Sequence, residues 1–127
     1  MLLSVSFLFL FTYHMQFNDL VVWKLAKEIT IVIYQAFQLC KDFGFKDQIQ
    51  RASVSVMNNI AEWFERWTLK DKQRFFIIAK WSVAEVRSML LLCEDLWYLE
   101  HQQCEELLQK TYSISSMLQK LITNSKF

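Results

Sequence analysis

The sequence predicts an all-α protein, an antiparallel up-and-down bundle of four helices that forms one domain. Its 127 residues include one glycine and no proline, which leaves too few turn residues for an all-β fold. Hydrophobic residues make up 54% of the chain, which suits one sizeable core and excludes a disordered chain. Apolar side chains recur at helical spacing in four segments that short links join.

Helix 1 is predicted from about residue 20 to residue 43. Asn18 or Asp19 is expected to cap its N-terminus, and Gly44 is expected to end it. Its apolar residues cover more than half of the circumference, so we expect the bundle to bury part of this surface by self-association. The predicted stripe and the residues that widen it are Leu25, Ile29, Val32, Ala36, Val22, Ile33 and Phe37.

Helix 2 is predicted over about residues 46–66, helix 3 over 69–96 and helix 4 over 100–123. Thr68 is expected to cap helix 3, with Asp71 three residues further on. The inner residues of helix 4 have heptad spacing. The predicted inner residues are Ile49, Ser53, Val56, Ile60 and Phe64 in helix 2; Phe75, Ala79, Val83, Val86, Leu90 and Cys93 in helix 3; and Leu107, Thr111, Ile114, Leu118 and Leu121 in helix 4.

The N-terminal segment MLLSVSFLFLFTYH is apolar and uncharged but too short to span a bilayer, which needs ~20 residues. It also lacks the basic region and the small-residue cleavage site of a secretory signal. The segment that follows, MQFNDLVVWKLAKE, has the form of a natural start. We therefore predict that translation begins at Met15 and that residues 1–14 are upstream sequence. The alternative is a short apolar leader that associates with membranes.

Charge is unevenly distributed, although the net charge is only +1. Residues 66–92 carry six basic side chains against two acidic ones, and residues 93–106 carry five acidic side chains and no lysine or arginine. Such segments can pair head to tail between subunits, present a basic face to nucleic acid, or be ordinary solvated helix surface. The candidate nucleic-acid contacts are Arg66, Lys70, Lys72, Arg74, Lys80 and Arg87.

A line of polar residues in helix 2, at spacings of 4, 4 and 3, shares one helix face. The line is either a solvated face or a buried hydrogen-bonded ladder that joins helices 2 and 3. Periodicity leaves both interpretations open, and a buried ladder would require partners for its charged members. The residues are Arg51, Ser55, Asn59 and Glu62, with Ser82 and Glu85 one turn apart in helix 3.

No set of side chains indicates catalysis or metal binding. Cys40, Cys93 and Cys104 lack CxxC spacing, and His14 and His101 are isolated along the chain. The sequence offers no Ser/His/Asp grouping and no glycine-rich phosphate loop. We expect a protein that is not an enzyme, needs no cofactor or metal, and keeps its thiols reduced in the cytoplasm.

Three segments of the sequence resemble the four-helix-bundle family of 23S rRNA-intervening sequence proteins. They are LVVWKLAKEI, QIQRASVSVMNNIAEW and RFFIIAKWSVAEVRSMLLLCEDLWYL, and the resemblance extends over about residues 17–122. The second segment is specific, because its order and spacing agree with the family motif Gln-Ile-x-Arg-Ala…Ser-Ile-x-x-Asn-Ile-Ala-Glu-Gly. The matching residues are Gln48, Ile49, Arg51, Ala52, Ser55, Asn59, Ile60, Ala61 and Glu62, and Ser82 and Glu85 match a motif of helix 3.

The resemblance implies a non-catalytic oligomer that binds nucleic acid or a nucleic-acid-processing partner. Family members are encoded in sequences that interrupt rRNA genes, and relatives act as accessory proteins of reverse transcriptases in diversity-generating retroelements. Such relatives look like homopentameric barrels with a basic surface. The expected partners are a second copy of the chain, RNA or DNA, and a reverse transcriptase, with no membrane unless residues 1–14 are translated. The alternative is an interaction module without nucleic-acid affinity, whose partner docks on the apolar or acidic surface.

Four of the five tryptophans stand where the family has glycine or where glycine would suit. Trp63, Trp81 and Trp97 replace family glycines, Trp67 lies in the link after helix 2, and Trp23 alone matches a family tryptophan. Some bacterial lineages read the codon UGA as glycine, whereas another code variant reads it as tryptophan. We therefore hypothesise that these four residues are glycines in the native protein. The rival interpretation is an aromatic cluster that stacks on bases or a partner. If these four residues are tryptophans in the folded protein, their side chains should point outward or open the bundle locally.

Overall fold

The computed structural model describes residues 15–125, so the predictions on residues 1–14 lie outside the described residues. The described chain contains four α-helices and no strand, as the sequence predicted. The helices are α1 (Val21–Ala36), α2 (Phe43–Glu65), α3 (Leu69–Asp95) and α4 (His101–Ser125), and a 3-10 turn at Phe17–Asp19 precedes α1. None of these four helices is both long and apolar enough to cross a membrane.

The two ends of α1 differ from the prediction. Neither Asn18 nor Asp19 caps this helix, because both lie in the 3-10 turn and Leu20 is the N-cap residue. The Asp19 carboxylate accepts a hydrogen bond from the Gln16 backbone N–H at 2.8 Å and closes that turn instead. The helix then ends at Ala36 rather than at residue 43.

The early end of α1 follows from an aspartate that begins α2. Asp42 is the N-cap residue of α2, and its Oδ1 accepts a hydrogen bond from the Phe45 backbone N–H at 3.1 Å. Phe37 turns inward, is 1% exposed, and packs against the Phe45 ring with the centroids 5.5 Å apart. Gly44 therefore lies in the first turn of α2, and the prediction that it ends helix 1 was wrong. The apolar pattern runs on through Phe43 and conceals this turn in the sequence.

The core contains the predicted inner residues of α2 and α4, except that Phe64 and Leu121 are only half-buried. In α3 the prediction placed Phe75 inside, but Phe76 is the buried ring and Phe75 is half-buried. The buried stripe of α1 is rotated from the predicted one. It consists of Val22, Ala26, Ile29, Thr30, Ile33 and, just after the helix, Phe37, whereas Leu25, Val32 and Ala36 flank it half-buried.

Neighbouring helices are joined by polar contacts as well as by the core. The buried Thr30 hydroxyl of α1 lies 3.1 Å from the Ser53 carbonyl of α2 and 2.8 Å from the Ala26 carbonyl of its own helix. Lys110 of α4 forms an ion pair with Glu28 of α1. Helices α2 and α3 share the most extensive contact, α1 packs on α2 and α4, and α3 packs on α4.

Candidate nucleic-acid interface

Lys72 is one of three predicted basic residues whose side chains donate hydrogen bonds to other groups of the bundle. Its Nζ donates to the carbonyl oxygens of Trp63 at 2.9 Å and Phe64 at 3.4 Å. These carbonyls belong to the last turn of α2, so the ammonium group caps that helix end. Partial burial lowers the pKa of Lys72 below its usual value. Lys72 therefore serves the end of α2 and is less available to a phosphate.

Arg66, the C-cap residue of α2, is engaged more loosely. Its Nη2 and Nε donate to Glu62 Oε2 at 2.5 Å and 3.1 Å, and its guanidinium lies 4.7 Å from the Phe75 ring centroid. Both charged side chains remain nearly half exposed, so an i,i+4 pair of this kind contributes only ~0.5 kcal/mol. Arg66 can exchange this carboxylate for a phosphate at small cost.

Arg87 is the most firmly engaged of the six predicted cations. Its Nε donates to Thr111 Oγ1 at 3.1 Å, and its Nη2 donates to the Thr111 carbonyl at 3.2 Å and to Ser115 Oγ at 2.7 Å. The guanidinium also lies over the Tyr112 ring, 4.2 Å from its centroid. Arg87 thus ties α3 to α4, a role that a count of charges along the sequence does not reveal.

The remaining three predicted cations, Lys70, Arg74 and Lys80, are exposed and have no acidic partner in the part of the chain that the structure describes. Lys70 and Arg74 lie one turn apart in α3. The exposed side chains of Ile77 and Trp81 continue their stripe at helical spacing. Such a stripe offers positive charges for phosphates beside apolar surface for bases.

Part of the predicted polar line forms a hydrogen-bonded ladder between α2 and α3. The hydroxyl oxygens of Ser55 and Ser82 are 2.8 Å apart, and the buried Ser82 hydroxyl donates to the Ile78 carbonyl at 2.8 Å. Because the Ser82 proton is committed to that carbonyl, Ser55 is the donor between the two serines. Asn59 Nδ2 donates to the Ser55 carbonyl at 2.8 Å and to its hydroxyl at 3.0 Å. Two serines at this position allow α2 and α3 to approach closely.

The other members of the polar line lie on the surface. Gln48 Nε2 donates to Glu85 Oε1 at 3.4 Å across the same pair of helices. Arg51 pairs with Asp47 at 3.0 Å, and the two side chains are 81% and 63% exposed. Glu62 is held at the end of α2 by the arginine described above. The two interpretations that the sequence left open therefore each apply to part of the line.

Three of the four suspected glycine positions carry indoles that point outward, as expected if tryptophan is kept. Trp67 is 97% exposed, Trp81 is 69% exposed and Trp97 is 87% exposed. None of them packs against another aromatic ring in the described residues. The structure therefore does not gather them into one stacked cluster.

Trp97 occupies a backbone position that favours glycine. Its φ of 61° is the one positive φ of a non-glycine residue within residues 15–125. It follows the C-cap of α3 in a Schellman motif, in which its N–H bonds to the Glu94 carbonyl at 3.2 Å and the Tyr98 N–H bonds to the Cys93 carbonyl at 3.1 Å. A residue with a Cβ costs ~1–2 kcal/mol in this left-handed region. The geometry supports glycine at position 97.

Trp63 shows a different kind of misfit. Its Nε1 is the one buried side-chain nitrogen or oxygen among the described residues that lacks a hydrogen-bond partner. Leaving such a donor unsatisfied costs ~1–3 kcal/mol. The Lys72 ammonium lies 5.0 Å from the ring centroid but offers no acceptor to that nitrogen. Glycine at position 63 would remove the unsatisfied group.

The structure brings together one group of side chains that the sequence keeps apart. His101 was expected to be isolated, but its Nδ1 contacts Glu94 Oε1, and Glu105 lies close by. The potential ligand atoms of these three residues lie within 4.8 Å of one another. His101 and Glu105 are one turn apart in the sequence, whereas Glu94 reaches them only across the turn between α3 and α4. The hydrogen bond between His101 and Glu94 accounts for this contact, and the geometry carries no metal assignment.

Comparisons with known proteins identify the sequence and the fold. The family model described as 23S rRNA-intervening sequence protein matches residues 18–120. No curated protein matches the chain. Four chains of solved structures match, and one is a crystal structure of a protein with unknown function from the S23 ribosomal protein family of Bacteroides thetaiotaomicron VPI-5482. It is 24% identical, the TM-score is 0.76, and the alignment covers 80% of this chain and 98% of that chain. At this identity the likeness shows the fold alone.

Proposed function

The chain belongs to the 23S rRNA-intervening sequence protein family, and from this premise we propose that it is a non-catalytic, oligomeric protein that binds nucleic acid. The contacts are made to phosphates by Lys70, Arg74 and Lys80, and Arg66 joins them by releasing its carboxylate. The observation that carries this proposal is the exposure of three cations on α3 without an acidic partner in the described chain. Phosphate contacts fix position and read little sequence, so binding is strongly salt-dependent.

The helices alternate in direction as an up-and-down bundle in this proposal. Phe37 after the end of α1 packs on Phe45 at the start of α2, and Lys72 at the start of α3 caps the end of α2. Cys93 near the end of α3 lies beside Cys104 near the start of α4, with the sulfur atoms 3.9 Å apart. The start of α1 and the link between α2 and α3 then lie at one end of the bundle. The acidic turn between α3 and α4 lies at the other end, so charge is separated along its length.

Self-association is part of the proposed function, with a homopentamer as the form that the family resemblance suggests. Apolar side chains near the C-terminal end of α3 support it: Leu91, Leu92 and Leu96 are each between 43% and 49% exposed. Soluble monomers rarely expose large apolar patches, so side chains of this kind favour a covering partner. Multi-angle light scattering measures the mass in solution against the 15.3 kDa chain. A single species of monomer mass at micromolar concentration would contradict the proposal.

Nucleic-acid binding is tested by charge reversal on α3. The wild type and the double variant Lys70→Glu/Arg74→Glu are titrated into fluorescently labelled single-stranded oligo(A), and anisotropy is followed between low and high salt. The slope of log K against log salt is negative, and the loss of two phosphate contacts should reduce its magnitude by about 1.4, at about 0.7 per contact. The matched control is Lys41→Glu/Arg51→Glu, which reverses one exposed lysine and one exposed arginine elsewhere. Wild-type affinity in the α3 variant would contradict the assignment of the contacts to α3, and affinity that ignores salt would contradict binding through phosphates.

A second candidate is a protein-interaction module without nucleic-acid affinity. The acidic end of the bundle around the turn between α3 and α4 favours it, because Asp95, Glu100, Glu105 and Glu106 are all exposed there. A basic partner, such as a reverse transcriptase, would dock on this turn. Free Cys40, Cys93 and Cys104 suit a reducing compartment such as the cytoplasm for either candidate. Partner binding that survives charge reversal on α3 but is lost on reversal of these acids would favour the module.

A further inference from the structure

A groove on the outer side of α1 combines an aromatic ring with lysines. It has a volume of about 530 Å³ and lies beside the 3-10 turn that precedes α1. Trp23 is the residue that matches the family tryptophan, so its ring does not depend on how the other four tryptophans are encoded. The walls are formed chiefly by Asn18, Trp23, Lys24, Lys27, Ile31 and Val32.

The partly buried Trp23 ring packs against the core and has one aromatic and one cationic neighbour. Phe17 of the 3-10 turn meets it edge-on, with the centroids 5.2 Å apart and the planes at 65°. The Lys27 ammonium lies 5.6 Å from the indole centroid. This exposed cation–π contact is weak, and the lysine side chain is flexible. A planar group can therefore replace the ammonium on the ring while Phe17 keeps the indole in place.

The charge of the groove is positive. Lys24 and Lys27 have no acidic partner among the described residues. Glu28 also lines the groove, but it pairs with Lys110 of α4 and does not neutralise them. Two mobile ammonium groups beside an aromatic ring and an apolar wall are the components that hold a stacked base with its phosphates. The Asn18 amide adds a donor and an acceptor for the edge of a base.

We propose that this groove holds one nucleotide of a single-stranded nucleic acid, with its base stacked on Trp23 and the flanking phosphates at Lys24 and Lys27. The inference rests on the nucleic-acid binding proposed above and adds the place where a base is held. Stacking on an indole tolerates any base, and a duplex offers no unstacked base, so single strands bind more tightly than duplexes. In the up-and-down arrangement, the start of α1 lies at the same end as Lys70, so one strand can reach both surfaces.

The intrinsic fluorescence of Trp23 can report whether a base binds at its ring. Replacing Trp63, Trp67, Trp81 and Trp97 by glycine leaves Trp23 as the sole tryptophan of the chain. Single-stranded oligo(A) should quench its emission, and an oligo(A)·oligo(U) duplex should quench it much less. In anisotropy titrations, Trp23→Ala should weaken binding of oligo(A) about tenfold, and Trp23→Phe, which keeps an aromatic ring, should weaken it less. Lys24→Gln/Lys27→Gln should reduce the salt dependence of the affinity. Lys41→Gln is the control, and circular dichroism verifies that each variant is folded.

The outcomes separate this inference from the proposal that it rests on. One outcome would contradict the groove but support the α3 surface. In that outcome Lys70→Glu/Arg74→Glu weakens oligo(A) binding, whereas Trp23 emission does not change on binding and Lys24→Gln/Lys27→Gln has no effect on the affinity. No binding of either nucleic acid at low salt would overturn both. If Trp23→Ala unfolds the protein, the emission change and the double lysine variant still decide the matter.

Discussion

The Tyr98 hydroxyl donates a 2.6 Å hydrogen bond to Asp42 Oδ2, which joins the turn after α3 to the N-cap of α2. The Tyr98 ring also meets the Phe45 ring edge-on, with the centroids 5.2 Å apart. This hydrogen bond, followed by the one from the Phe45 N–H, lowers the pKa of Asp42, and the same carboxylate raises the pKa of Tyr98. One exposed carboxylate thus serves two turns.

The shifted pKa values of this pair predict that stability falls at both extremes of pH. Asp42 is stabilised as a carboxylate, so its contribution is present above the unfolded pKa of ~3.9 and is lost as pH falls through the lower folded value. Tyr98 is stabilised in its protonated form, so its contribution is present below ~10 and is lost as pH rises through the raised folded value. Urea unfolding of Asp42→Asn, which keeps a capping side chain, should approach the wild type as pH falls below about 4. If the free energies of unfolding of Asp42→Asn and the wild type differ by the same amount at about pH 7 and about pH 3, this assignment is contradicted.

The left-handed backbone at position 97 predicts that Trp97→Gly stabilises the protein. Removing the Cβ from a residue at φ 61° should raise the free energy of unfolding by ~1 kcal/mol, even after the extra entropy of glycine in the unfolded chain. Trp67→Gly is the control, because that indole is also exposed but its backbone has no positive φ. Urea denaturation at neutral pH measures both variants. A destabilised Trp97→Gly variant would count against a native glycine at this position.

The serine pair between α2 and α3 predicts non-additive substitutions. Ser55→Ala and Ser82→Ala each break the 2.8 Å contact between the hydroxyl groups and should each cost ~1 kcal/mol. The double variant should cost less than the sum, because the second substitution finds the bond already lost. Ser82→Val should be worse, by ~1–3 kcal/mol, because it overpacks a buried position. Strictly additive values in the urea unfolding of these variants would argue against the ladder.

The hydrogen bonds of Arg87 predict that it contributes to stability and not to nucleic-acid binding. Arg87→Gln removes the donors to Thr111 and Ser115 and should lower the free energy of unfolding by ~1.5–3 kcal/mol. Arg87→Lys should not restore it, because an ammonium cannot reproduce the planar set of donors. Under native conditions both variants should keep the wild-type salt dependence for oligo(A). A reduced salt slope in either variant would place Arg87 back on the binding surface.

The buried thiols predict selective alkylation. Burial, with the neighbouring Cys104 as the next cause, raises the pKa of Cys93 to about 12, and burial also raises the pKa of Cys104. Thiolates are the reactive species, so both cysteines should resist iodoacetamide at mildly alkaline pH, whereas the half-buried Cys40 is labelled first. Mass spectrometry should find one adduct on the native chain and three in urea. Rapid triple labelling of the native protein would contradict the buried pair.

The four helices could be predicted from the sequence because apolar residues at helical spacing carry that information directly. Thr68 was also recognised as a cap, and it accepts the Asp71 N–H at 3.2 Å. The turn at Asp42 was missed because an aspartate between apolar segments can equally lie on an exposed helix face. Periodicity fixes which residues share a face, but not which face a neighbouring helix covers. For that reason the buried ring was assigned to Phe75 instead of Phe76.

The candidate interface was less predictable than the fold. Charge along the chain proposed six cations, yet which of them are free depends on carbonyls and hydroxyls that other helices supply. Lys72 meets the carbonyls at the end of α2, and Arg87 meets Thr111 of α4. The groove at Trp23 was missed for the related reason that Lys24 and Lys27 have no clustering signal in the sequence. Their significance comes from the groove that they line together with the Trp23 ring.

The extensive contact between α2 and α3 has a consequence for recombinant production. If position 63 is encoded by UGA, a ribosome that treats this codon as a stop releases a truncated chain that ends at Glu62. That fragment retains α1 and most of α2, but Ser55 loses Ser82, and the apolar side of α2 loses the helix that covers it. Such a product would be cleared by proteases or collected as inclusion bodies. A synthetic gene with ordinary glycine codons at these four positions should yield the full-length chain.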